Sequence, residues 1–143
     1  MKGYVGRPAE TDATIDREGW LHTGDIGRVD DRGYLYVVDR VKELIKYHGY
    51  QVPPAELEAV LLTDDRIADA AVIGVRSDGN EIPKAFVVPM PGASLTAEDV
   101  MAYVAARVAP HKKVRQVEFI EAVPKAASGK ILRRELRARE AGG

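Results

Sequence analysis

The sequence predicts an α+β protein. It reads as a small, three-layer-like α/β domain, made of a short antiparallel hairpin and a roughly three-stranded sheet with flanking helices. β-Strands belonging to a larger domain precede it. Three observations predict this. Apolar runs of strand length at residues 70–75 and 85–88 alternate with segments whose apolar residues recur at helical spacing. Apolar residues make up 45% and charged residues 30% of the 143, the composition of an ordered globular protein of one modest domain. Residues 1–41, in contrast, carry turn and strand signals but too few apolar side chains for a core of their own, and read as the edge of a larger body.

Within that leading segment, residues 19–25 read as a strand entering a turn. Asp30-Asp31-Arg32-Gly33 reads as a hairpin turn, and residues 33–39 as an aromatic and β-branched strand. From about Val41 the pattern changes. Residues 44–52 read as two short strands bent at Gly49. Pro53 and Pro54 open a helix whose first turn holds Glu56 and Glu58, where carboxylates suit the helix dipole, while Leu57, Val60 and Leu61 form its apolar stripe. Thr96 with Asp99 three residues on forms a capping-box pattern, and Val100, Val104 and Val108 line one face of the helix that follows. Residues 114–120 read as a further strand, and a terminal helix is expected over about residues 130–140.

Composition excludes several classes of function. Without cysteine there is neither a disulfide framework nor a thiolate metal site. His22, His48 and His111 lie far apart and show no metal-ligand spacing. No apolar run approaches the length of a membrane span and no basic-then-apolar leader opens the chain, so a cytoplasmic protein without a membrane partner is expected. Residues 107–140 carry ten Lys/Arg against four Asp/Glu, whereas residues 1–106 carry eleven against eighteen. Such a basic end suits a phosphate-rich ligand, and equally a solvated helix face. Nucleic acid is not expected as a partner, because single-strand binding needs interleaved aromatics and residues 107–140 hold only Phe119.

Three motifs stand in order: His22-Thr23-Gly24-Asp25, then residues 39–58 beginning Asp39-Arg40-Val41-Lys42, then residues 124–136 around Ser128-Gly129-Lys130. In the last, glycine loosens the backbone ahead of Lys130, so its ammonium suits the developing charge of a phosphoryl or nucleotidyl transfer. Together the motifs resemble the adenylate-forming superfamily of acyl-CoA synthetases, luciferases and peptide-synthetase adenylation domains. Residues 44–58 are most similar to the 4-coumarate–CoA ligase and luciferase branch, and the resemblance runs from Met1 to about Glu140.

The resemblance implies two chemical steps: a carboxylate attacks ATP to give acyl-AMP, and coenzyme A then displaces AMP. It implies that residues 1–41 end a large N-terminal domain, and that residues 42–143 form a mobile C-terminal domain. Asp25 and Arg40 would bind the ribose of the nucleotide, a carboxylate suiting a cis-diol that offers two donors. Asp25 could also merely cap a turn, and Arg40 merely pair with Asp39 or Glu43. Lys42 would be the hinge. Lys130 would act in adenylation, and Lys46 in thioester formation, with Gly49 and Tyr50 lining the coenzyme A channel. ATP and Mg2+ would be held mainly by the large domain, together with a small carboxylic acid. His48 and Pro53 depart from the usual lysine and alanine, and His48 would weaken a contact to coenzyme A phosphates. By this reading the isolated chain is inactive. Two alternatives are a non-catalytic module docking on a separate adenylating subunit, and a luciferase-like or carrier-protein-dependent member.

Overall fold

A computed structural model describes residues 1–142 and divides the chain into two compact units, Met1–Lys42 and Glu43–Gly143. In the first, helix α1 (Pro8–Thr14) is followed by strands β1 (Asp25–Val29) and β2 (Leu35–Arg40), paired antiparallel. The turn between them is organised by Asp30, whose carboxylate accepts from the backbone N–H groups of Arg32 and Tyr34. No residue of this unit is buried, in keeping with a segment that lacks a core.

Two features of this unit differ from the sequence expectation. A short helix forms at Pro8, where the fixed φ of proline suits the first helical position. Residues 19–24 are not a strand. The Asp16 carboxylate accepts from the N–H groups of Glu18 and Trp20 and gathers them into a turn, leaving a single bridge between Ile15 and Leu21.

The second unit opens with the hairpin β3 (Ile45–Tyr47) and β4 (Tyr50–Val52), then α2 (Pro54–Leu61). Strands β5 (Ile67–Ser77) and β6 (Asn80–Pro89) follow, then α3 (Ala97–Ala105), β7 (Gln116–Phe119) and α4 (Arg133–Ala141). The sheet runs in the order β5-β6-β7, antiparallel and then parallel. It is covered on both sides. Ala70, Val72, Ala85 and Val87 face Ile45, Val52, Leu57, Leu61, Val100 and Val104, whereas Ala71, Ile73 and Phe86 face Ile120, Val123 and Leu136. Double coverage explains why residues 70–75 read as an unbroken apolar run rather than as an alternation. Full burial of Leu57 and Leu61 contributes about 2 kcal/mol each by apolar transfer.

The capping box at α3 forms in both directions between Thr96 and Asp99. Strands β5 and β6 run beyond their apolar centres to a turn at Asp78 and Gly79, both at positive φ. Helix α4 begins three residues later than expected, because a bridge between Lys125 and Ile131 holds the preceding segment as a narrow hairpin.

Glu58 is the larger correction. It lies in the second turn of α2 rather than the first and is 7% exposed. Strand β5 is an edge of its sheet, and Val72 turns its N–H and C=O away from β6. Glu58 Oε1 accepts from that N–H at 2.9 Å, and Arg133 Nε donates to that C=O at 3.3 Å. Arg133 Nη2 closes the arrangement on both carboxylate oxygens at 2.7 Å. Helices α2 and α4 are thereby clasped across the free edge. Three further pairs extend from α4: Arg137 to Glu43, Arg139 to Glu118, and Glu140 to Lys84, which also meets Glu118 at 2.8 Å.

Arg133→Ala would take the guanidinium away from the buried Glu58 carboxylate and is expected to cost about 3 kcal/mol in urea unfolding. The same change at the more exposed Arg137 should cost about 1 kcal/mol or less. Acid weakens the fold through a second set of groups. The hydrogen bond from Lys84 holds Glu118 below its ordinary 4.5, against the opposing effect of burial. Asp64 is held below 3.8 chiefly by the Arg66 guanidinium, and Asp99 chiefly by the Thr96 N–H. Folded-state values below the ordinary ones mean a contribution complete above those ordinary values and lost as pH falls through the lowered ones. The urea midpoint should therefore drop between about pH 5 and pH 2, less steeply in Glu118→Gln.

Candidate functional site

The first pair of expected site residues meets on one rung. Asp25 opens β1 and Arg40 ends β2 directly opposite, with Arg40 Nε 3.1 Å from Asp25 Oδ1. The Arg40 side chain thus pairs with Asp25, while its backbone N–H donates to the neighbouring Asp39 Oδ1 at 2.7 Å. Gly24, at φ +72, bends the chain into β1, and its carbonyl accepts from the Val41 N–H. The Thr23 hydroxyl accepts from the Asp25 N–H at 3.2 Å. The outcome is a half-exposed carboxylate beside a guanidinium, an acceptor and a donor side by side. Lys42 lies exposed in the one-turn 3-10 segment Val41–Glu43, and the division between the two units falls immediately after it.

Lys46, Gly49 and Tyr50 come together on the β3–β4 hairpin. His48 and Gly49, at φ +45 and +83, form its two-residue turn. A Cβ at Gly49 would meet nothing within 4 Å, so the turn conformation is what favours glycine there. Lys46 alternates outward between Ile45, fully buried, and Tyr47, half-buried. Tyr50 stacks on His111 at 4.4 Å, and the Arg115 guanidinium lies 3.8 Å from the centroid of the Tyr47 ring. His111 and Arg115 were not among the residues singled out from sequence. They reach the hairpin from far along the chain, and no local pattern signals it.

Lys130 occupies the other side of the unit. Its carbonyl accepts from the Ala126 N–H and the Ala126 carbonyl accepts from the Gly129 N–H, making a tight loop with Gly129 at φ +80. The Lys130 side chain is exposed and forms no ion pair among the described residues. Lys125, at the base of this loop, pairs with Asp69 near the start of β5 at 2.6 Å. Lys46 is held instead by Glu81, whose side chain lies over Gly74 further along β5. Asp69 and Gly74 are five residues apart, roughly 16 Å of extended strand. The two lysines also belong to opposite coverings of the sheet, with Ile45 packed on one face and Ile131 on the other. Among the described residues no group of three carboxylate, imidazole or thiol side chains could hold a metal ion, and no helix is long and apolar enough to cross a membrane.

Comparison with known proteins gives a consistent picture. Residues 56–130 match the family model of the AMP-binding enzyme C-terminal domain. The chain is 55% identical over 140 residues to 4-coumarate-CoA ligase 1 of Narcissus pseudonarcissus, covering 97% of this chain and 26% of that protein. Among solved structures it resembles ATP-bound MatB from Rhodopseudomonas palustris, with a TM-score of 0.90 and 30% identity over 96% of this chain and 28% of that one. It also resembles the AMP complex of O-succinylbenzoate coenzyme A synthetase from Bacillus subtilis, with a TM-score of 0.83 and 35% identity at the same coverages. The chain thus spans about a quarter of the length of the curated relatives it matches. It belongs to the AMP-binding enzyme C-terminal domain family.

Proposed function

We propose that this chain is the C-terminal part of an AMP-forming acyl- or aryl-CoA ligase, and that its two faces serve the two half-reactions in turn. The observation that carries the reading is the placement of Lys46 and Lys130 on opposite coverings of one sheet. Similarity to 4-coumarate-CoA ligases over nearly the whole chain supports an aromatic or acyl carboxylate as substrate and coenzyme A as acceptor.

In the first step a carboxylate oxygen attacks the α-phosphorus of ATP and the bond to pyrophosphate breaks. Lys130, on a loop whose backbone is fixed by its own hydrogen bonds, brings an unpaired ammonium to the phosphoryl oxygens as negative charge builds on them. Asp25 accepts from the ribose hydroxyls and Arg40 orients that carboxylate while donating to the same sugar. The phosphates of ATP, and the Mg2+ that screens their charge, belong to the larger domain.

In the second step the sulfur of coenzyme A attacks the acyl carbonyl carbon and AMP departs. Lys46 projects beside the turn at Gly49, along which the pantetheine arm runs, and Tyr50 walls that path. No single pose brings both lysines to one acyl-adenylate, so the C-terminal unit must turn between steps. Lys42, exposed at the division between the units, is the hinge. The chain by itself binds nucleotide weakly and completes neither step.

The test uses the complete enzyme encoded by the open reading frame that carries this chain. Lys130→Ala is expected to slow pyrophosphate release about a hundredfold while sparing thioester formation from supplied acyl-adenylate. Lys46→Ala should show the reverse. Equal losses in both half-reactions for either variant would contradict the division of labour.

A further inference from the structure

Lys46 and Gln51 face each other across the β3–β4 hairpin one step inside the closing pair Tyr47 and Tyr50. In a hairpin with a two-residue turn that rung is not hydrogen-bonded, so the Lys46 N–H points away from β4. It donates instead to Glu81 Oε2 at 2.6 Å, a residue of β6 thirty-five positions along the chain. An amide on a carboxylate is a charge-assisted bond, shorter and stronger than a bond to a neutral acceptor.

To reach that amide, the Glu81 side chain lies across Gly74 on the neighbouring strand, and a Cβ at Gly74 would overlap its carboxyl group. The backbone at Gly74 is not in the left-handed region, so conformation does not demand glycine there. Glycine inside a strand weakens it and marks close approach of another group. Glu81 is that group.

We infer that Glu81 is a positioning residue for thioester formation: it fixes the strand that carries Lys46, and Gly74 keeps its path clear. The inference rests on the assignment of the Lys46 face to the second half-reaction. Lys130 is anchored elsewhere, through Lys125 and Asp69, so adenylation does not depend on Glu81.

Both half-reactions of the complete enzyme, with Lys46→Ala alongside, provide the test. Glu81→Ala and Gly74→Ala should each slow thioester formation from supplied acyl-adenylate roughly tenfold to a hundredfold, as a misplaced group does, while pyrophosphate release stays within about twofold. Glu81→Gln keeps an oxygen acceptor in place and should recover most of the thioester rate. Equal slowing of both half-reactions, or no slowing of either, would overturn the inference, as would a Gln variant no better than the Ala variant. If Lys46→Ala cripples thioester formation but Glu81→Ala does not, the positioning role alone falls. If Lys46→Ala leaves thioester formation intact, the assignment of that face falls and takes this role with it.

Discussion

The clasp of Glu58 and Arg133 over the free edge of β5 is the constraint on which the C-terminal unit depends. An edge strand exposes unpaired backbone groups, and Val72 would present both of its own to whatever lay outside. Here they are met by one carboxylate and one guanidinium that also satisfy each other. A buried ion pair of this kind recovers its desolvation cost only when the remaining hydrogen-bonding capacity is used, and the Val72 amide and carbonyl use it. The clasp ties α2, which covers one face of the sheet, to the first residue of α4, which covers the other.

From that follows the arrangement of the chemistry. Because both faces are covered, each can carry a different loop rigidly: the β3–β4 hairpin with Lys46 on one, the narrow hairpin with Lys130 on the other. Helix α4 anchors more than its own face, since Arg137 holds Glu43 immediately after Lys42. A hinge works when the segment on its far side is fixed, so that a change in few dihedral angles turns a whole body. Under the proposed function, a body fixed in this way would exchange one lysine for the other by rigid rotation rather than by local rearrangement.

Much of this was legible in the chain, and the legible parts share a local cause. The Thr96–Asp99 capping box, the bend at Gly49 and the apolar run of β5 are each specified by residues within a few positions of one another. Helix α1 escaped notice because it is one short element with no buried stripe to give it a period. The role of Glu58 was hidden for a different reason. A carboxylate in the first turns of a helix looks the same whether it faces water or a guanidinium, and Arg133 lies 75 positions away. Asp25 and Arg40 could be named as site residues but not paired, since their meeting depends on the β1–β2 register. The contact of Glu81 with Lys46 is likewise a product of tertiary packing alone.

The central claim, that one sheet presents two lysines in alternation, is tested most directly by lysine footprinting of the complete enzyme. Acylation of Lys130 and Lys46 by a small reagent would be followed by mass spectrometry, first with a non-reactive acyl-adenylate analogue and then with coenzyme A added. The account predicts that the analogue alone shields Lys130 and leaves Lys46 reactive, and that coenzyme A reverses the pattern. Shielding of both lysines in the same state would show that they face one site together and would contradict it.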